Sequence, residues 1–316
     1  MYQNELRILS KYLSYISSVH NLQITITDNF LKAERKAGSF TDFLFANESS
    51  REILQPFLVH NNSYCMQIKS NRILWDRCIR YKECIFKKLE NNISTLYGMC
   101  HAGIEEYVVP VLYKGNIIAI IHAGSFCTNE DKSRKRIKKI SRKYKISEKS
   151  LLSTYFASVK KVKPNENEIT TLLNVAAVCI SSIYSYIEPM INDVHENSKA
   201  EHKENYVLMH IIEYIKQNYR SDITINDISR FCHCSRSYIS HIFTKNMNQN
   251  INSFINSLRI EEAKVYLINT NLSIKIISDR VGFNDPNYFS KVFTSFTGLS
   301  PKEYRKQNKQ LSFNQS

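Results

Sequence analysis

One stretch of this chain is written twice. Ile225-Asn-Asp-Ile228 returns as Ile274-Lys-Ile-Ile277, 49 residues on, and Tyr238-Ile-Ser-His-Ile-Phe243 returns as Tyr288-Phe-Ser-Lys-Val-Phe293, 50 residues on. The second copy therefore holds one extra residue in its turn. A repeat of this size marks a duplicated supersecondary unit, here a short helix, a tight turn and a second helix. In the first copy Ile225, Ile228 and Phe231 are expected to face Ile239, Ile242 and Phe243, with Ser235 as N-cap of the second helix. In the second copy Ile274, Ile277 and Val281 are expected to face Phe289, Val292 and Phe293. There Gly282 supplies the turn, and Asp285-Pro286 starts the following helix with Asp as N-cap and Pro at N1. Ile251 to Ile268 reads as one connecting helix, with Phe254, Ile255, Leu258, Ala263, Tyr266 and Leu267 for burial. Everything beyond Tyr206 is expected to be all-α.

The 316 residues carry a formal net charge of +14, and its placement matters more than its total. Residues 130–163 hold 13 basic and 3 acidic side chains, residues 164–205 hold 2 and 7, and residues 206–316 hold 14 and 8. Positive charge favours nucleic acid through counterion release, although a lysine-rich surface does not require it. Lys132 to Lys163 is expected to be a solvated helix face plus loop. A connecting helix of roughly 25 Å can hold two reading helices about one DNA turn apart, near 34 Å. No run of about 18 apolar residues is present. The first residues carry Glu5, Arg7 and Lys11 in a helical pattern rather than a secretory signal. A cytoplasmic protein with no membrane partner is expected. In a reducing compartment the eight cysteines read as free thiols, core residues, or metal or redox sites.

The front half mixes strands and helices, which predicts an α+β domain. Leu6, Leu9, Leu13, Ile16 and Val19 recur at helical spacing, and Gln23–Thr27 alternates like a strand. Residues 107–113 and 117–121 flank Lys114-Gly115-Asn116 as a hairpin. Glu168 to Ile187 reads as an apolar helix that Pro189 ends. The polar stretch Asn192–Asn205 reads as a linker. The expected domains are thus 1–163, a helix and linker over 164–205, and 206–316.

The run Gly282-Phe283-Asn-Asp285-Pro-Asn-Tyr288-Phe289-Ser290-Lys-Val-Phe293, followed by Phe296, Gly298, Pro301, Tyr304 and Arg305, resembles the signature of the AraC/XylS family of transcription regulators. Arg259, Ala263 and Leu267 match that family's connecting helix. The resemblance covers residues 206–307 and implies two helix-turn-helix units on double-stranded DNA. By that resemblance Arg236, Ser237, Ser240, His241 and Lys245 of the first reading helix face the groove, as do Asn287, Ser290, Lys291 and Ser295 of the second. Arg236 and Lys245 suit phosphates better than base edges. Cys232-His233-Cys234 lacks a second Cys pair and reads as turn packing rather than a zinc site.

In the front half Tyr64-Cys65-Met-Gln-Ile-Lys, Arg77-Cys78, Met99-Cys100-His101-Ala102-Gly103-Ile104, Val109-Pro110-Val111 and Gly124 resemble the PocR sensory domain, over roughly residues 5–160. That resemblance implies a PAS-like α/β fold that binds a small-molecule effector, a hydrocarbon derivative such as a short diol. A pocket of this kind needs apolar walls and a few convergent polar groups. Cys65, Cys78, Cys100 and His101 are the ligand-contact candidates, with Tyr64, Tyr97 and Trp75 as candidate walls. Core packing is the plain alternative for the cysteines, and a metal- or redox-sensing regulator that uses them is another. An enzyme built on Cys100 and His101 is disfavoured, because chain neighbours point apart and no nucleophile elbow or phosphate loop exists. No cofactor and no fixed metal site is expected, and the apolar helix before the linker suits a homodimer.

Overall fold

The computed structural model describes residues 2–27, 40, 41, 44, 47–192 and 198–313. The chain divides into two units between Met209 and His210.

In the first unit α1 (Tyr2–Val19) buries Leu6, Leu9, Leu13 and Ile16, one stripe at helical spacing. Four strands, β1 (Gln23–Thr27), β2 (Leu96–Met99), β3 (Glu105–Tyr113) and β4 (Asn116–Phe126), form an antiparallel sheet in the order β1-β4-β3-β2. The predicted hairpin is present. Lys114 and Gly115 both take positive φ, 48° and 78°, which gives the two-residue turn its hand. Register puts Thr25 opposite His122, Val108 opposite His122, and Glu106 opposite Gly124. Strand alternation then turns Thr25, Thr27, Glu106, Val108, Ile120 and His122 to one face.

Between β1 and β2 lie the helices α2 (Glu48–Leu54), α3 (Ser63–Lys69) and α4 (Arg72–Asn91). Asn47, Asn62 and Asn71 cap their N-termini, each accepting a backbone N–H with its side-chain oxygen. Ile85, Phe86 and Leu89 of α4 pack on Val108 and Ile120 and so cover part of that sheet face. After β4 come α5 (Glu130–Tyr144) and α6 (Glu148–Ser158). The basic stretch is a solvated helix face, as its pattern predicts: α5 buries only Ser133, Ile137 and Ile140.

Helix α7 (Glu166–Asn192) runs along β3, and α1 packs against α7. By length and composition it is apolar enough to cross a membrane, yet Ile169, Leu173, Ala176, Ile180, Ile183 and Ile187 are buried within the unit. It does not stop at Pro189 as expected but runs three residues further. A proline this near the C-terminus forfeits one i→i−4 bond, to Ser185, and leaves too little helix beyond it to kink. Of the expected linker, residues 193–197 lie outside the described residues. From Ser198 the polar stretch is helical and forms the start of α8 (Ser198–Asn218), which continues past the unit boundary.

The second unit is helical, as expected: α9 (Ile225–Cys232), α10 (Arg236–Met247), α11 (Ile251–Asn269), α12 (Ile274–Arg280), α13 (Pro286–Thr297) and α14 (Pro301–Phe313). Thr224 and Asp227 form a capping box on α9, Ser235 caps α10 and Asp285 caps α13. Helix α12 is one residue shorter than α9, so the extra residue of the second copy appears as a turn of five residues against three. Ile260, Ala263 and Leu267 of α11 pack with Ile277, Val281, Phe283, Phe289 and Phe293, which fixes the second copy to the connector.

Candidate ligand cavity and nucleic-acid interface

A cavity of about 50 Å³ opens in the first unit. All four predicted contact residues, Cys65, Cys78, Cys100 and His101, line it. Ile68, Ala102 and Ile104 give it apolar wall, while His60, Lys69, Glu106, His122 and Tyr206 give it polar and aromatic edges. The expected aromatic walls do not line it. The Tyr64 hydroxyl donates to the Ala102 carbonyl at 2.8 Å beneath the cavity floor, Tyr97 donates to Glu105 at 2.7 Å, and Trp75 stands edge-on to Tyr206 with ring centres 5.9 Å apart.

The run Cys100-His101-Ala102-Gly103 is a tight turn whose shape explains its composition. The Gly103 N–H donates to the Cys100 carbonyl at 3.0 Å, and the Cys100 N–H donates to the Ile104 carbonyl at 2.7 Å. Gly103 has φ +95°, a conformation that glycine accepts at little cost. Its carbonyl accepts from Ser133 Oγ at 2.9 Å and from the Tyr155 hydroxyl at 2.7 Å. The turn is thereby held from behind, and His101 faces forward.

His101 pairs with Cys78 rather than with its neighbour Cys100: Cys78 Sγ lies 3.0 Å from His101 Nε2. Burial, with Arg77 and Arg136 beside it, lowers the His101 pKa to about 4. Burial pushes the Cys65, Cys78 and Cys100 thiols up to about 12, against which the Lys69 ammonium works at Cys65 and Cys78. The pair is therefore a neutral thiol donating to a neutral imidazole. An activated cysteine needs a lowered pKa, so the arrangement is suited to binding and not to attack.

Three further polar groups meet at the cavity edge. His122 Nδ1 lies 3.2 Å from Glu106 Oε1, and His60 Nε2 lies 3.7 Å from Glu106 Oε2. Among the described residues these three form a group able to hold a metal ion, with all ligand atoms within 4.8 Å of one another. The N-terminal cysteines form no such group there, which leaves the cysteine-based metal reading without support. Residues 60, 106 and 122 are scattered along the chain, so spacing alone conceals them. One local signal existed: His122 interrupts an apolar strand, Ile117 to Ala123, where a buried imidazole needs a partner.

In the second unit the nine predicted contact residues lie on the outside of α10 and α13. Arg236, Ser237, His241, Lys245, Asn287, Lys291 and Ser295 are exposed, and Ser240 and Ser290 half-buried. Ser290 Oγ donates to the Pro286 carbonyl at 2.9 Å, so its hydroxyl proton is engaged by its own helix. Tyr288, 52% exposed, shares the outer side of α13. In the turn before α10, His233 takes a left-handed conformation at φ 55° and Cys232 is buried, in keeping with turn packing.

Two family models match the chain. Residues 41–184 match the sensory domain found in PocR, and residues 228–307 match a helix-turn-helix domain. The chain thus carries a segment similar to the PocR sensory domain followed by a segment similar to a helix-turn-helix domain. The relatives named below are described as transcription regulators. The uncharacterized HTH-type transcriptional regulator YdiP of Escherichia coli K12 is 31% identical over 161 residues, 51% of this chain and 53% of that protein. The raffinose operon regulatory protein RafR of Pediococcus pentosaceus is 34% identical over 110 residues, 35% of this chain and 39% of that protein. The chain thus spans about half or less of the length of these relatives. Among solved structures, the C-terminal domain of the response regulator yesN from Fusobacterium nucleatum is 32% identical, with TM-score 0.29 over 30% of this chain and 93% of that one. The cavity lies in the residues that match the PocR sensory domain, except that Gln23 and Tyr206 come from outside them, and α10 and α13 lie in the residues that match the helix-turn-helix domain.

Proposed function

We propose that the chain is a sequence-specific DNA-binding transcription regulator whose PocR domain binds a small effector in the cavity lined by Cys65, Cys78, Cys100 and His101. The observation that carries the DNA reading is the repeated placement of exposed polar side chains at equivalent positions of α10 and α13, fifty residues apart, over buried apolar residues. Asn287, Lys291 and His241 suit base edges, and Arg236 and Lys245 suit phosphates. Ser237, Ser240, Ser290 and Ser295 complete the faces. The 19 residues of α11 span about 28 Å at 1.5 Å per residue, a length compatible with successive major grooves on one side of a duplex.

The cavity size restricts the effector. About 50 Å³ takes a molecule of a few heavy atoms, well short of the 300 Å³ or so of drug-sized sites. A short diol fits this class. Tyr206 lines the cavity and lies on α8, so an occupant that bears on Tyr206 acts on that helix, and differential affinity for two states of it would couple the sites. Exposed Val175, Val178 and Tyr186 on α7, with Ile8 and Tyr15 on α1, suit a homodimer.

The test is DNA selection from a random library by the full chain, followed by titration of the selected duplex with and without two- to four-carbon diols. Selection of a consensus, and a diol-dependent change in affinity lost in His101→Ala, is the expected outcome. Equal binding of all sequences sinks the regulator reading, and indifference to every diol sinks the effector class.

A further inference from the structure

The structure assigns a second role to the cavity wall: we propose that His60, Glu106 and His122 bind one first-row divalent transition-metal ion. Two imidazoles and a carboxylate are a donor set that such ions favour, in contrast to the all-oxygen sets of calcium and magnesium. The spacing is close to what an ion requires. Donors about 2.1 Å from a centre stand roughly 3.0 to 3.4 Å apart; His122 Nδ1 lies 3.2 Å from one Glu106 carboxylate oxygen and His60 Nε2 3.7 Å from the other.

The surroundings support ligation by the right nitrogen. His122 is 1% exposed, and its Nε2 lies 3.0 Å from Thr27 Oγ1 on the next strand. An N–H on Nε2 donating to that hydroxyl leaves the Nδ1 lone pair aimed at Glu106, the arrangement by which outer-shell partners orient ligating histidines. Gly124 makes room for the carboxylate, since a β-carbon there would lie 2.9 Å from Glu106 Cβ. Thr25, directly across from His122, buries a hydroxyl with no hydrogen-bond partner among the described residues, and such groups often mark a water or ion. Glu106, His122 and His60 all line the cavity, so the remaining coordination positions face it and take water or another oxygen donor. Lys69 also lines it, its ammonium donating to the His60 carbonyl at 2.8 Å. That contact fixes the loop carrying His60. The assignment does not depend on which organic effector the cavity takes, or on whether it takes one.

The test uses the full chain, freed of metal with a chelator and dialysed, then titrated with Co²⁺ and Zn²⁺. Binding of one equivalent is expected, with weak d–d absorption and without the intense charge-transfer band of a thiolate ligand. His60→Ala and Glu106→Gln are expected to weaken Co²⁺ binding at least tenfold, and Thr27→Val by about tenfold, while Cys78→Ser and Cys100→Ser leave it unchanged. His60 lies in a loop, so His60→Ala is the deciding variant, and thermal melting of the metal-free proteins shows whether each variant folds. If His60→Ala fails to fold, Glu106→Gln decides. The site is overturned if Co²⁺ does not bind, if it binds with a thiolate band, or if a folded deciding variant binds as tightly as the parent.

Discussion

Gly282 stands against the backbone of Arg220 so closely that a β-carbon on it would lie 2.5 Å from the Arg220 carbonyl oxygen. Its φ of +95° disfavours any other residue independently. The contact ties the turn of the second helix-turn-helix to the end of α8, beside Arg259, whose guanidinium donates to the Tyr219 and Ser221 carbonyls at 2.6 and 2.9 Å. Gly282→Ala combines a left-handed penalty with a backbone clash, and a loss of about 2–4 kcal/mol is expected. Urea unfolding of the full chain measures it. A midpoint equal to the parent's would mean that the backbone yields without cost.

Thiol reactivity should separate the cysteines sharply. Cys84 is exposed, whereas Cys65, Cys78 and Cys100 are held at about 12 by burial and carry almost no thiolate at neutral pH. Iodoacetamide at pH 7.5, followed by peptide mass analysis, is expected to modify Cys84 first and the three cavity thiols at least tenfold more slowly. Fast modification of Cys78 would show that its contact with His101 generates thiolate after all.

Acid should weaken the fold through His101. Its pKa falls from 6.5 to about 4 in the folded chain, so between those values the unfolded chain binds more protons. Stability from this group is complete above about pH 6.5 and declines as the pH drops toward 4. Between pH 7 and pH 5 the linkage amounts to about 2 kcal/mol. Comparing urea midpoints of the parent and His101→Gln at both values isolates it. The parent should lose more stability than the variant, and parallel losses would place the imidazole in contact with solvent.

Patterns that repeat locally were legible from the residues alone. The helical pairs announced themselves because each copy repeats its own apolar spacing and its own start signal, Ser235 or Asp285. The hairpin at Lys114-Gly115 was equally plain. What escaped was whatever depends on strand register and long loops. Glu106 and His122 become neighbours only through the β3–β4 pairing, and His60 joins them from 46 residues away. The cavity cysteines were found through the Cys-His-Ala-Gly turn, yet the sequence could not show that His101 reaches back to Cys78. The aromatic walls failed for a related reason. Tyr64 and Tyr97 spend their hydroxyls on Ala102 and Glu105, so these rings brace the cavity from outside it.

DNA contacts should sort by their dependence on salt. Arg236 and Lys245 are exposed on α10 and, as phosphate contacts, would each release about one counterion. Replacing either with Ala should therefore lower the slope of log affinity against log salt by about 1 and weaken all duplexes alike. Asn287, Lys291 and His241 are exposed and, as base-edge contacts, would carry sequence discrimination. Their Ala variants should cost about 1–3 kcal/mol on the selected duplex and much less on random DNA. Fluorescence anisotropy across a salt series, with both duplexes, reads the two effects at once. Were the Asn287 variant to lose affinity equally on both duplexes, α13 would be gripping backbone, and sequence discrimination would rest on α10.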